Sequence, residues 1–478
     1  MNNKILKNIL KGTLAITSGT VVTMAFHFLS IFFLARHLSQ TEFGLYALIF
    51  SISNLLNLLS NLGLEISIVK NIVEGSQQRD SVLRPTLIIK SSFTVFILIL
   101  YLFFYNFYPT AGNDGLWKYN VYIIILFLLG SFRDLFYRII QGLNKFKQYS
   151  LIQISTAVLR VALIILSIEF EKFNFILLLY FEIIIIILAL LLQFINIPFG
   201  SLLKGKVPLS DYVKLIKFSS PLYANNLITF TYDRVGVFII GLLMTASSVA
   251  IYDVSTKIPS ALQGILGSYI LVFFPNISTL FGQGDNNSAE KLINKSIFHI
   301  SFLLSSLTVI MSIWNVEIVT LFFSSKYIDS AFPLIIMMFS LLLRNLANIL
   351  GYAIVAAGYS KIPLKVNLLS VIIGIASSLV FIMYWNYIGA AFAVLIMNFI
   401  TLFQYVYYHR KLNLIKLNYS FSYNLMVAFL LAFLVSIVSF DHLVMKILLL
   451  IFYMSINYRY VIEFRNLFTQ LKIIKSSI

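Results

Sequence analysis

The chain has 478 residues, of which 60% are hydrophobic and only 11% charged, and its formal net charge is +17. A soluble domain carries about 25% charged residues, so this composition excludes an ordinary cytosolic enzyme, a secreted module and a disordered chain. The sequence contains no cysteine, which excludes disulfides, a thiolate nucleophile and cysteine-ligated metal sites.

Long apolar stretches dominate the chain and favour helices, since the strands of a membrane barrel would alternate in polarity. One span needs roughly 20 apolar residues, and the sequence predicts an all-α integral membrane protein with about 14 transmembrane helices. Lys4, Lys7 and Lys11 precede a first stretch that runs to about Leu34 without a small-x-small cleavage site, so we expect a retained first span. The predicted helices begin near Gly12, Phe43, Pro85, Tyr119, Tyr149, Asn174, Val213, Ser247, Ile293, Ser330, Ile362, Tyr387, Phe421 and His442.

Lysine and arginine are distributed unequally between alternate loops. With the N-terminus inside, most of them fall in the inside segments, and those left outside are Arg36, Lys118, Lys172, Lys326 and Lys446. The positive-inside rule then places both termini in the cytoplasm. Because the basic residues are dispersed between apolar segments, we expect no nucleic-acid partner. The loops are too short for a catalytic domain outside the membrane, so we expect a protein that is not an enzyme.

Two cytoplasmic turns have similar sequences and indicate an internal duplication. In residues 141–156 and 357–372, Gly142 aligns with Gly358 and Lys145 with Lys361. The turns are six predicted helices apart, so the halves run in the same direction as a parallel repeat, an arrangement in which transporters bind substrate between the halves. We therefore expect a six-helix lobe over 1–200, a second over 201–415, and a terminal helix pair with a cytoplasmic tail over 416–478.

Polar side chains recur at helical spacing within the predicted spans. An intramembrane charge costs about 2.5–3.5 kcal/mol on insertion scales, so each such residue indicates a cavity or a partner. Hydrogen bonding between helices is the alternative for the asparagines, and Asp253 and Lys257 could form an i, i+4 pair. The candidate substrate-binding residues are Arg160, Asn57, Asn61, Asn226, Asp233, Arg234, Tyr252, Asp253, Lys257, Arg344 and Asn348.

Among these candidates, basic side chains outnumber acidic ones. The basic candidates are Arg160, Arg234, Lys257 and Arg344, and the acidic candidates are Asp233 and Asp253. A cavity with spare positive charge binds an anion, and the arginine fork suits phosphate. We therefore expect a cationic cavity that takes an anionic ligand.

A few residues indicate further roles. His27 could titrate near neutral pH and couple transport to protons, although a mid-membrane histidine can equally be a neutral packing residue. Tyr252 could stack on a sugar ring.

Walker and dinucleotide-binding motifs are absent, and the scattered histidines form no metal cluster. We expect no cofactor and no metal site, with coupling to H⁺ or Na⁺ left open.

Several segments resemble the polysaccharide and O-antigen flippases, the Wzx type within the multidrug/oligosaccharidyl-lipid/polysaccharide (MOP) transporter superfamily. The first helical hairpin, residues 35–48 (ARHLSQTEFGLYAL), is similar to the family hallmark, with Ser39 and Gln40 where Gly-Pro is common. The similarity continues in residues 62–72, 232–241, 324–335, 358–375 and 387–396.

The resemblance implies a MATE-like fold with two lobes and an extra terminal pair, in which helices one, two, seven and eight line the lobe interface. It implies flipping of undecaprenyl-pyrophosphate-linked oligosaccharide, for O-antigen of lipopolysaccharide, capsule or exopolysaccharide, from the cytoplasmic to the periplasmic face of the bacterial inner membrane. It also implies contact with membrane lipid, and with a polysaccharide polymerase and a chain-length regulator. The alternatives are an ion-coupled drug antiporter of the same superfamily and an exporter of lipid-linked peptidoglycan or teichuronic precursors.

Overall fold

The computed structural model describes residues 3–74, 79–107, 115–199, 208–418, 420–437 and 442–458, together with Tyr460 and Ile462. These residues form α-helices and two short 3₁₀ helices, with no strand among them. The all-helical membrane fold expected from the sequence is confirmed. In chain order the α-helices are α1 (Asn3–His37), α2 (Gln40–Asn61), α3 (Leu64–Glu74), α4 (Arg79–Phe107), α5 (Asn120–Gly142), α6 (Phe146–Glu169), α7 (Phe175–Asn196), α8 (Leu209–Leu243), α9 (Ala246–Gly282), α10 (Asn286–Ile313), α11 (Asn315–Phe323), α12 (Ala331–Ala356), α13 (Lys361–Lys411), α14 (Ser420–Ile437) and α15 (Leu443–Ile456).

Ten helical stretches among the described residues are long and apolar enough to cross a membrane. The short helix α3 is not one of them. Helix α13 is interrupted by the non-helical backbone of Trp385 and Asn386, between the two predicted helices that begin near Ile362 and Tyr387. The chain is therefore a multi-pass membrane protein, whereas the count of 14 spans stays a prediction.

Local sequence signals set several helix boundaries. Ser39 and Glu42 form a capping box at the start of α2: the Glu42 amide donates to Ser39 Oγ at 3.2 Å, and the Ser39 amide donates to Glu42 Oε2 at 2.9 Å. Asn174 Oδ1 accepts from the Leu177 amide at 2.8 Å and begins α7. Asp285 caps α10, and the hydrogen bonds from Ser288 hold the pKa of the Asp285 carboxyl below its ordinary value.

The turns assigned to the duplication share one hydrogen-bond pattern. After α5, the amides of Asn144 and Lys145 donate to the carbonyls of Gln141 and Ile140. After α12, the amides of Gly358 and Tyr359 donate in the same way to Val355 and Ile354. The left-handed residue is Asn144 (φ 58°) in the first turn and Gly358 (φ 95°) in the second. Gly358 is thus equivalent in backbone to Asn144, two residues beyond the Gly142 to which the sequence alignment matched it.

The contacts divide the chain into two compact units, Met1–Asp253 and Val254–Ile478. In the first unit α1 packs on α6, α5 packs on α7, and α2 packs on α4, α5 and α8. In the second unit α12 packs on α13 and α10. The predicted lobes 1–200, 201–415 and 416–478 stay a prediction, and the expected boundary at residue 200 lies outside the described residues.

Candidate functional site

A polar cavity of about 400 Å³ lies inside the first unit. Helices α1, α5, α6 and α7 supply most of its wall, and α3 contributes one carboxylate. The polar cavity is lined by Thr23, His27, Glu65, Arg133, Asp134, Tyr137, Arg138, Tyr149, Gln153, Thr156, Ala157, Arg160, Ile185, Ile186 and Ala189. Two residues of the predicted set, Arg160 and His27, are therefore wall residues of one cavity.

Arg160 projects from α6 and forms an ion pair with Glu182 of α7. Arg160 Nη2 lies 2.5 Å from Glu182 Oε2, and the Glu182 side chain is fully buried. Tyr46 of α2 donates its hydroxyl to the other Glu182 oxygen at 3.0 Å. The buried carboxylate thus has a partner on each oxygen, as a charge removed from water requires. The positive charge of Arg160 is balanced inside the first unit.

His27 lies beside this ion pair. Arg160 Nη1 donates to His27 Nδ1 at 3.1 Å. This contact assigns the acceptor role to Nδ1 and leaves Nε2 as the position for the ring proton. The role of His27 in proton coupling stays a prediction.

Two further arginines of the cavity wall also have carboxylate partners. Arg133 Nη2 lies 2.8 Å from Asp134 Oδ1, and Arg138 Nε lies 3.5 Å from Glu65 Oε2. Burial, together with the nearby Asp134, raises the pKa of the Glu65 carboxyl above its ordinary value, while Arg138 opposes the shift. The wall of the polar cavity therefore consists of charge pairs and hydroxyl and amide groups, and it has no large excess of either charge.

A buried lysine joins this network from α4. Lys90 is fully buried and donates to Ser60 Oγ at 3.1 Å and to Asn57 Oδ1 at 3.4 Å. Asn57 Nδ2 in turn donates to Asp134 Oδ2 at 2.6 Å. Asn57 is among the predicted ligand contacts, but in this structure its amide bridges a lysine and a carboxylate.

The other predicted residues of the first unit lie on α2, α8 and the start of α9. Arg234 Nη1 is 3.9 Å from Asp253 Oδ1, and the Asp253 side chain is 3% exposed. Tyr252 is buried, and its hydroxyl would be 2.5 Å from a Cβ placed on Gly236. That close approach explains why a glycine suits position 236. The remaining members are Asn61, which is buried, Asn226, which is half-buried, and Asp233, which is exposed.

Three members of the predicted set belong to the second unit. Lys257 is on α9, and Arg344 and Asn348 are on α12; all three are half-buried. The neighbouring Asn345 donates to Gln263 Oε1 at 3.0 Å, so polar side chains meet between α9 and α12. The predicted set is thus distributed over both units.

Sequence reasoning did not place several members of the first-unit network among the site residues, including Lys90, Asp134, Glu182 and Tyr46. A charged residue within an apolar stretch could have indicated the first three as site residues, whereas nothing in the sequence distinguishes Tyr46 from the other tyrosines. Within the described ranges, no group of three or more His, Asp and Glu residues is placed to hold a metal ion.

Comparison with protein families gives a match over more than half of the chain. Residues 9–281 match the family described as "Polysaccharide biosynthesis protein". The capsular polysaccharide biosynthesis protein CapF of Staphylococcus aureus is 26% identical over 214 residues, which is 40% of this chain and 52% of CapF. The chain thus matches about half the length of that relative. The probable low-salt glycan biosynthesis flippase Agl15 of Haloferax volcanii is 20% identical over 397 residues, 82% of each chain.

Solved structures share the fold at low sequence identity. The lipid II flippase MurJ in its inward closed conformation aligns with a TM-score of 0.65 and 15% identity, covering 94% of this chain and 100% of MurJ. An inward-facing multidrug resistance MATE family transporter of the MOP superfamily aligns with a TM-score of 0.66 and 14% identity, covering 81% of this chain and 94% of that transporter. The MATE-like fold expected from the resemblance is confirmed.

Proposed function

The chain belongs to the polysaccharide biosynthesis protein family, and from this premise we propose that it flips a lipid-linked oligosaccharide across the bacterial inner membrane by alternating access. The carrier is undecaprenyl pyrophosphate, and transport runs from the cytoplasmic to the periplasmic face, with both termini in the cytoplasm. The observation that carries the proposal is the similarity to Agl15, a probable glycan biosynthesis flippase, over 82% of both chains.

The headgroup is an anion, and the proposed contacts are basic. Arg234, Lys257 and Arg344 hold the pyrophosphate, and Arg160 assists from the polar cavity. The neighbouring asparagines and Tyr252 contact the sugar hydroxyls and ring faces. The pairing of Arg160 with Glu182 supports a role in orienting polar groups of the sugar more than one in neutralising the pyrophosphate.

The membrane potential can supply the driving force. An inside-negative potential favours export of an anion by about 2.3 kcal/mol per charge per 100 mV, so two pyrophosphate charges give roughly 4.6 kcal/mol. The substrate is an O-antigen, capsule or exopolysaccharide repeat unit; a lipid-linked peptidoglycan or teichuronic precursor has the same carrier chemistry. A polymerase and a chain-length regulator are the proposed partners on the far side.

The test uses the purified full-length chain in liposomes with a fluorescent lipid-linked oligosaccharide and a membrane-impermeant quencher. We expect the native chain to move headgroups to the quencher-accessible side. Arg234→Gln and Arg344→Gln each abolish translocation while the chain still elutes as a folded species, and Arg84→Gln, an exposed arginine of α4, serves as the control. Native-like rates in both cavity variants would refute the headgroup contacts.

The drug-antiporter alternative needs a separate measurement. MATE transporters share the fold, so a drug is the alternative ligand. Expression of the chain in a drug-sensitive strain is expected to leave the tolerance of cationic dyes unchanged. A native chain that extrudes dyes and moves no headgroup would replace the proposed function with the antiporter.

A further inference from the structure

Lys90 is a charged group in an environment made of neutral partners. Its side chain is among the largest that are fully buried. In the described part of the chain, Nζ has two hydrogen-bond acceptors, the Ser60 hydroxyl at 3.1 Å and the Asn57 amide oxygen at 3.4 Å. Two further hydroxyls extend the hydrogen-bond network from Ser60: Ser131 Oγ lies 3.2 Å from Ser60 Oγ and 3.3 Å from Thr94 Oγ1.

The carboxylates nearest to Lys90 already have arginine partners. Asp134 contacts Arg133 at 2.8 Å, and Glu65 contacts Arg138 at 3.5 Å. Asp134 is linked to Lys90 through Asn57, whose Nδ2 donates to Asp134 Oδ2 at 2.6 Å. Lys90 is therefore the cation that these two charge pairs do not neutralise by direct contact.

The hydrogen bonds around Nζ fit a neutral amine as well as an ammonium. An ammonium has three N–H donors, and the described residues offer two acceptors. A neutral amine has two donors and keeps both hydrogen bonds. Removal of an ammonium from water is costly unless every donor is satisfied. The pocket consequently accepts both protonation states without rearranging Ser60 or Asn57.

A short route connects Lys90 with the polar cavity. The Asp134 side chain is 31% exposed and lines that cavity, while Asn57 is 8% exposed and Lys90 is fully buried. Among the described residues, Asn57 bridges the buried amine and the carboxylate at the cavity wall. The residue before Lys90, Ile89, packs with Leu64 and Leu215 in an apolar cluster, against which Tyr212 of α8 also packs.

We propose that Lys90 exchanges a proton with water of the polar cavity during the transport cycle. When the hydrogen bond from Asn57 to Asp134 opens, water reaches Nζ and accepts one proton, and the lysine remains as a neutral amine that donates to Ser60 and Asn57. After the cavity has opened to the opposite face of the membrane, uptake of a proton from water on that face restores the ammonium and the closed network. Lys90 thereby couples proton movement to flipping, and in this sense the inference rests on the proposed function.

The decisive comparison is between Lys90→Arg and Lys90→Met. Arginine keeps a permanent charge and cannot release its proton; methionine removes the charge. If Lys90 only supplied a fixed cation, Lys90→Arg would work and Lys90→Met would not. A proton-exchanging Lys90 requires both variants to lose proton movement. Lys118→Arg, an exposed lysine outside the helices of the network, is the matched control.

The experiment measures two quantities on the same proteoliposomes: headgroup translocation with the fluorescent lipid-linked oligosaccharide, and internal pH with a trapped pH-sensitive dye. We expect substrate-dependent proton flux for the native chain and for Lys118→Arg, and its loss in Lys90→Arg and Lys90→Met. Native flipping without proton flux, or a Lys90→Arg chain with native flux and pH profile, overturns the proposal and leaves the flippase function standing.

A second measurement tests the proposal even if the native chain shows no flipping in liposomes or the Lys90 variants fold poorly. Acid–base titration of the detergent-solubilised native chain and of Ser60→Ala needs no substrate. Ser60→Ala removes an acceptor that stabilises the ammonium more than the amine, so we expect its titration curve to differ from the native curve by one proton that is released at lower pH. Identical titration curves of the native chain and Ser60→Ala overturn the proposal.

Discussion

Arg160 and Glu182 form a 2.5 Å ion pair between α6 and α7, with the Glu182 carboxylate fully buried. The pair joins two helices that both line the polar cavity. A buried pair stabilises little over an apolar replacement, but removing one partner leaves the other charge without its counter-ion. Removing one charge of the pair should therefore lower the free energy of unfolding more than removing both.

Glu182→Gln is expected to destabilise the folded chain by about 3–5 kcal/mol, because it leaves the partly buried Arg160 guanidinium against a neutral amide. The double variant Arg160→Met with Glu182→Met removes both charges and is expected to recover most of that loss. Denaturant unfolding in detergent, followed by tryptophan fluorescence, measures the difference. If the double variant is as unstable as Glu182→Gln, the pair is not the cause.

Tyr46→Phe tests the second partner of the same carboxylate. The Tyr46 hydroxyl donates to Glu182 Oε1 at 3.0 Å, and a hydrogen bond to a charged group contributes roughly 1.5–3 kcal/mol. We expect a loss in this range for Tyr46→Phe in the native background and a smaller loss when Arg160 and Glu182 are both methionine. Equal losses in both backgrounds would show that the hydroxyl acts elsewhere.

These pairings mark the limit of what the sequence could predict. Apolar length and helical spacing predicted the all-helical membrane fold and singled out Arg160 as an intramembrane charge. They could not assign Glu182 as its partner, because periodicity gives the face of a helix but not the rotation of the helix against its neighbours. Lys90 was not predicted as a site residue for a related reason, because its partners Asn57 and Ser60 belong to another helix. The spacing of the asparagines is as consistent with a contact to a ligand as with a bridge between two side chains.

The repeated turns illustrate a second limit. Matching glycines aligned Gly142 with Gly358, whereas the left-handed residue of the first turn is Asn144. Asparagine tolerates this conformation almost as well as glycine does. The sequence alignment therefore pairs different residues from those that the hydrogen bonds of the two turns make equivalent, and the duplication itself stays a prediction.

Gly44→Ala is expected to perturb the packing of α2 against the start of α9. A Cβ at Gly44 would overlap the carbonyl oxygen of Ala246, and nearby Ser247 donates to Gln40 Oε1 at 2.7 Å. Because a backbone atom cannot rotate away, we expect a loss of about 1–3 kcal/mol.

Gly130→Ala is the matched control for Gly44→Ala. Gly130 is also helical, but a Cβ there meets nothing within 4 Å, so the substitution is expected to be neutral or to stabilise by about 0.5–1 kcal/mol through helix propensity. Unfolding curves of the two variants should therefore move in opposite directions. A Gly44→Ala chain as stable as Gly130→Ala would contradict the close approach of α2 to Ala246.

The predicted membrane orientation can be tested with single cysteines, because the chain has none of its own. Lys172, in the turn between α6 and α7, and Lys291, in the second turn of α10, are both exposed. The charge distribution predicts Lys172 outside and Lys291 in the cytoplasm. Helices α7, α8 and α9 lie between them, and three crossings put the two positions on opposite faces. An impermeant maleimide added to intact cells should label Lys172→Cys and should reach Lys291→Cys only after the membrane is opened. Labelling of both variants in intact cells would mean that one of the three helices does not cross, and the predicted topology would have to be redrawn from that helix onward.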